Sequence, residues 1–157
     1  MAEKRLLKRS EVRTGDTWAM EDLYKNDEAW EADFKRLAEE IPVLRTYEGR
    51  LGESASVLLR MQRKSDELNM LAEKIYVYAA QKLHEDTENG RYQELANRAQ
   101  GLLVKLSEAG AYMEPELLGL PEGTVEQFLE ENKELVVYRQ YFENMMRQRE
   151  HVLDRER

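Results

Sequence analysis

The 157-residue sequence contains no cysteine. That excludes disulfides, thiolate metal sites and cysteine nucleophiles, and it suits a cytoplasmic protein. Histidine is almost as scarce, with His84 and His151 the only two. Zinc sites recruit histidine or cysteine ligands at short spacing, and these two stand far apart. Only 3 prolines and 8 glycines punctuate the chain. They fall mostly between periodic segments, as breakers do in a helical protein. No apolar run approaches the roughly 18 residues needed to span a bilayer. The basic stretch Met1 to Arg13 lacks an apolar h-region, so a signal peptide is not expected. There is no internal repeat and no low-complexity segment.

What the chain does have is charge. Acidic side chains number 32 against 24 basic ones, for a net −8, and charged residues make up 36% of the sequence. Such a surface repels phosphate backbones and lacks the basic patch that anionic membranes attract, so neither nucleic acid nor membrane is an expected partner. Hydrophobic residues are 41%. Long amphipathic helices with charged outer faces account for both proportions. The length suits one domain, which would bury roughly 70% of its unfolded surface.

Hydrophobic spacing predicts an all-α fold, an antiparallel bundle or array of about five to seven helices without a sheet. Residues 1–26 read as an irregular arm, with a turn at Thr14 to Thr17 and Trp18, Met20, Leu23 and Tyr24 as anchors. Asn26 or Asp27 can cap a first helix whose stripe is Trp30, Phe34, Leu37, Ile41 and Leu44, with Pro42 ending or kinking it. A loop from Tyr47 to Gly52 precedes a short helix from about Ser54. Ser65 and Asp66 are candidate caps for the next helix, with Leu68, Leu71, Ile75, Tyr78, Ala79 and Leu83 inward. A tight break at Asp86 to Gly90 leads to a helix over about 91–113, giving a helical hairpin over about 65–113. The expected organisation is thus an arm (1–26), a helical lobe (27–113) and further helices (114–157). In the last part, helices are expected from Glu114-Pro115, from about Thr124 with Val125, Phe128 and Leu129 inward, and over about 135–148 with Leu135, Tyr138, Phe142 and Met145 inward.

No catalytic constellation accompanies this pattern. A metallopeptidase helix needs His-Glu-x-x-His, because histidines four apart share a face and the glutamate polarises water. His84-Glu85-Asp86-Thr87-Glu88 begins that way but has Glu88 at the last position. A surface histidine near a helix end is the simpler reading, favoured by the helix dipole. Carboxylate pairs such as Glu39 with Glu40 and Glu130 with Glu131 read as solvated faces, and Glu31 with Lys35 as a neutralising i,i+4 pair. Gly49-Arg50-Leu51-Gly52 is too short for a phosphate loop, and Glu53 follows it, so it reads as a turn. Tyr76, Tyr78, Tyr92, Tyr112, Tyr138 and Tyr141 could line a peptide groove, but core or core-edge roles fit their helical spacing better. The seven methionines likewise read as core filling rather than an adaptable surface. Catalytic, cofactor-binding and metal residues are therefore all expected to be none within this chain.

An ordered series of short segments resembles the opening of the oligoendopeptidase F family. It comprises Leu7 to Val12, Thr17-Trp18, Glu21 to Tyr24, Asp27 to Trp30, Tyr76 to Ala79, Glu85 to Thr87 with Asn89, Tyr92-Gln93, Arg98-Ala99, Glu114 to Leu118, Leu120-Pro121 and Val137 to Arg139. Ala19-Met20 departs from the acidic residue and leucine usual in that family. The resemblance implies a cytoplasmic zinc metallopeptidase of short peptides, mostly helical, with its active site in a deep cavity. There a His-Glu-x-x-His helix and a later glutamate hold zinc, and the glutamate of the motif is the general base. None of those positions has a counterpart in this sequence. On that resemblance the chain is a fragment, its partners are a missing C-terminal catalytic domain and short peptides, and its helices help to wall the cavity. The run from His151 to Arg157 resembles a connection into another helix. A free-standing helical interaction module is the alternative, and a stand-alone enzyme with an unrecognised site is a third reading.

Overall fold

The computed structural model describes residues 7–147. Among them there are six α-helices, five 3-10 segments and no strand. The α-helices are α1 (Asp27–Glu40), α2 (Ala55–Glu85), α3 (Gly90–Gly110), α4 (Met113–Gly119), α5 (Thr124–Glu131) and α6 (Arg139–Met146). The all-α expectation holds. These residues fall into two compact units that interleave along the sequence, one of 7–39 with 70–104, the other of 40–69 with 105–147.

The first unit is organised around Trp30 of α1. Asn26 starts α1, its side chain accepting the Ala29 N–H at 2.9 Å. That leaves Trp30 one turn in, with no exposed surface. Its indole N–H donates to the Ile75 carbonyl on α2 at 2.9 Å, and Phe34 stacks on it at 5.1 Å. An indole buried without such an acceptor would lose stability. Ile75, Tyr78, Leu95 and Ala99 complete this core from α2 and α3. Two anchors expected in the arm, Met20 and Tyr24, are buried, but Trp18 is not: it is 79% exposed. The 3-10 turn at Thr14–Asp16 and the extended Thr17 that follows it direct the chain so that Met20, rather than Trp18, reaches the core.

Pro42 ends α1 as expected. The backbone tightens at once into a 3-10 segment, Ile41–Tyr47, with proline in its first turn. Ile41 and Leu44 then belong to the second unit, where both are buried. The core cluster of this unit gathers Leu51, Leu58, Met61, Leu117, Phe128, Leu135 and Phe142, each of the larger ones contributing about 1.5–3 kcal/mol by leaving water.

The reading of two helices across 54–84 is corrected. One helix runs unbroken for 31 residues, and Ser65 and Asp66 lie inside it. Positions 58, 61, 65, 68, 72, 75 and 79 keep a single helical stripe, with Ser65 half-buried on it. No phase change therefore forces a break, and Ser54 makes the cap, its hydroxyl accepting the Val57 N–H at 3.3 Å. Smaller corrections follow the same logic. α3 ends at Gly110 rather than near 113, and α4 begins at Met113, because proline is tolerated anywhere in the donor-free first turn. Leu135 sits in a 3-10 segment, Lys133–Tyr138, ahead of α6. Gln148, the expected end of the last helix, lies outside the described residues.

A proline at position 67 separates the two readings of α2. In a helix capped at Asp66 it would occupy the favoured first position. In the continuous helix, Glu67→Pro is expected to cost about 3 kcal/mol or more, seen as a lowered urea midpoint.

Candidate functional site

A cleft of about 350 Å³ opens in the first unit, lined by residues of the 20–28 segment with Tyr78 and Lys82 of α2. Asp27, the first residue of α1, accepts hydrogen bonds from the Tyr78 hydroxyl and the Arg91 Nε, both at 2.9 Å. Burial alone would raise its pKa, but those two bonds together with the positive charges of Arg91 and Lys82 outweigh it and hold the carboxyl below its ordinary value. Tyr24 donates to Asp33 at 2.9 Å and meets Tyr78 edge to face at 5.3 Å. Burial, then the hydrogen bonds to Asp33 and Asp27, push the Tyr24 and Tyr78 phenols well above their ordinary values. Neither can serve as a base at neutral pH. Lys82 lies 5.6 Å from the centres of both the Tyr78 and Tyr92 rings. It also lines an adjoining cleft of about 230 Å³ with Arg9, Trp18 and Glu85.

Also in the first unit, Arg98 of α3 forks onto Glu31, with one contact at 2.8 Å and a second to the other carboxylate oxygen. The guanidinium lies 4.4 Å from the Phe34 ring centre and 5.3 Å from that of Trp30. The Arg98 hydrogen bond is the main reason the Glu31 carboxyl titrates below its ordinary value. The expected pairing of Glu31 with Lys35 is therefore replaced. Lys35 turns to Glu39 at 3.8 Å, because a planar fork braced by two rings holds a carboxylate better than a flexible ammonium.

The residues tested for chemistry in the sequence are dispersed or committed elsewhere. His84 is exposed, and the adjacent Glu85 is held by Arg9 at 3.0 Å. Glu40 takes Lys64 at 2.5 Å, Glu131 accepts from Gln127, and Glu130 is exposed. His151 lies outside the described residues. Of the six tyrosines, Tyr78 is buried, while Tyr92, Tyr112 and Tyr138 sit at core edges. Tyr76 and Tyr141 face solvent at 38% and 48%. Burial pushes the Tyr112 and Tyr138 phenols up to about 12.

One arrangement escaped sequence reasoning. The Gly49–Gly52 turn does present its N–H groups to an anion, and the anion is Glu116 of α4. Gly49 and Leu51 donate to its two carboxylate oxygens at 2.8 and 2.7 Å. A φ of 76° at Gly49 lets these alternate donors converge, a geometry that favours glycine. Nothing in the local pattern links positions 49 and 116, so only the fold reveals it.

Comparison with known proteins places this architecture. A family model for Oligopeptidase F matches residues 116–157. Oligopeptidase PepF of Bacillus subtilis is 37% identical over 92% of this chain, which spans 22% of that relative. The crystal structure of oligoendopeptidase-F from Enterococcus faecium superposes with a TM-score of 0.72 at 35% identity, covering 81% of this chain and 25% of that one. Over most of its length the chain is similar to members of the oligoendopeptidase F family. A further crystal structure, of a protein from Chlamydophila abortus, gives a TM-score of 0.83 at 26% identity over 92% of this chain and 24% of that one. The chain thus spans about a quarter of the oligoendopeptidase F length. The zinc that the family resemblance implies finds no fit among the described residues. No three or more histidine and carboxylate side chains among the described residues converge on a point that could hold a metal ion, and Glu88 stands where a second histidine would be needed.

Two outcomes follow from these contacts. Glu116→Ala strands the two N–H groups, that of Leu51 partly buried, and is expected to cost about 1–3 kcal/mol by denaturant unfolding. Asp27 and Glu31 have folded pKa values below their unfolded ones. Their stabilisation is present above about pH 4 and is lost as pH falls through the folded values. Glu31→Gln is therefore expected to flatten the acid limb of a stability-against-pH curve.

Proposed function

We propose that this chain is the non-catalytic N-terminal helical lobe of an oligoendopeptidase F-like zinc metallopeptidase that hydrolyses short peptides in the cytoplasm, and that the lobe walls part of the substrate cavity. The observation that carries the reading is the match of 92% of this chain to 22% of a curated oligopeptidase at 37% identity. In this reading the zinc, its ligands and the peptide-cleaving groups lie in the remaining three quarters. The lobe's own contribution is geometric. Excluding folded substrates requires a wall that does not yield, and uninterrupted helices with closed cores supply rigidity. Internal pairing of Asp27 with Arg91, Glu31 with Arg98 and Glu116 with backbone donors suits a scaffold better than a reaction centre.

The test is a graft in which this chain replaces the aligned segment of the Bacillus subtilis oligopeptidase. Chelator-sensitive cleavage of short peptides by the graft, none by the free chain, and poorer exclusion of longer substrates or failed folding on deletion of the segment are the expected results. Chelator-sensitive cleavage by the free 157-residue chain would falsify the assignment. So would a deletion that leaves both stability and the substrate-length profile unchanged.

A further inference from the structure

Large apolar side chains are exposed at nine described positions, and three of the nine fall within 136–141: Val136 at 40%, Val137 at 78% and Tyr141 at 48%. The other six are scattered over 7–104. The core of the second unit takes Leu135, Phe142 and Met145 from either side of this stretch but neither valine.

The turn that carries the valines is clamped. Leu135 before them is fully buried. The Asn132 side chain accepts the Glu134 N–H at 3.0 Å, and Arg63 of α2 pairs with Glu134 at 2.9 Å. On the other side, Tyr138 donates to Asp66 of α2 at 2.6 Å. A segment fixed on both flanks has already lost its conformational entropy, so a partner need not supply that ordering cost. Lys133, Glu134, Arg139, Gln140 and Glu143, its neighbours in sequence, are exposed as well, so the apolar side chains are flanked by charged and polar ones.

Two further observations select the occupant. Residues 136–141 lie inside the stretch matched by the Oligopeptidase F model. The solved oligoendopeptidase-F carries three quarters of its chain outside the part that this chain covers. We infer that Val136, Val137 and Tyr141 form a preorganised docking surface for an apolar patch on that outlying portion of the enzyme. The inference rests on the reading of the chain as a lobe of a longer peptidase.

Because the chain has no cysteine, Val137→Cys gives it a single thiol. Position 137 lies in the tryptic fragment 134–139, bounded by Lys133 and Arg139, so mass spectrometry reads its alkylation whatever thiols the graft contains elsewhere. Alkylation is compared between the free chain and the graft described above, with Val136→Cys as a second probe on the same fragment. The expected result is alkylation at least tenfold slower in the graft, with a concentration-independent rate in the free chain. A folded, active graft alkylated as fast as the free chain overturns the docking surface and leaves the lobe reading intact. A folded graft that protects the thiol but cleaves no peptide sinks the lobe reading and leaves the surface standing. A graft that does not melt cooperatively counts against both. Protection already present in the free chain, whether or not it grows with concentration, assigns the patch to a second copy or to this chain itself and overturns the inference.

Discussion

Ser54 caps a helix that then runs through 31 residues without a glycine or a proline, and both cores draw on it. Leu58, Leu59 and Met61 go to one unit, Ile75, Tyr78 and Ala79 to the other. A helix interrupted at Ser65 would leave new donors to be satisfied at that point, whereas the Asp66 carboxylate accepts from Tyr138 and the Ser65 hydroxyl from Asn69. Continuity of the backbone ladder is therefore the constraint on which the placement of the remaining core residues rests.

Around those cores the polar groups are committed internally and over long sequence separations. Asp27 joins Tyr78 and Arg91, Glu31 joins Arg98, Tyr138 joins Asp66, and the Gly49 turn closes on Glu116. Each contact costs side-chain entropy to form, and each fixes one element relative to another within its unit. The exposed pairs, such as Arg13 with Asp16, contribute little by comparison. In the first unit, the tyrosines that might have offered proton-transfer groups are instead buried donors with raised pKa values. The chemistry present is that of a braced frame.

Similarity to oligoendopeptidase F proteins over about a quarter of their length fits such a frame. A partial match also gives the unburied apolar side chains a physical meaning. Trp18 and the valine turn make no contribution to the cores described, and side chains of that size in water are costly unless covered. In the proposed arrangement the covering surface lies on the same longer polypeptide.

The sequence by itself determined the helical class, the stripes of α1 and α3, the stop at Pro42, the start of α5 after Gly123 and the lack of a His-Glu-x-x-His helix. All of these depend on residues within a few positions of each other, where helical period and breaker chemistry act directly. The ordered resemblance to oligoendopeptidase F was legible for the same reason, as a series of local segments. The tertiary structure alone decided that Ser65 is interior to a helix, that Arg98 rather than Lys35 neutralises Glu31, that Glu116 fills the Gly49 turn, and that Trp18 remains outside. Those outcomes are competitions between partners more than 60 residues apart in sequence, or between burial and solvent, and local spacing carries no information about which partner the fold brings near.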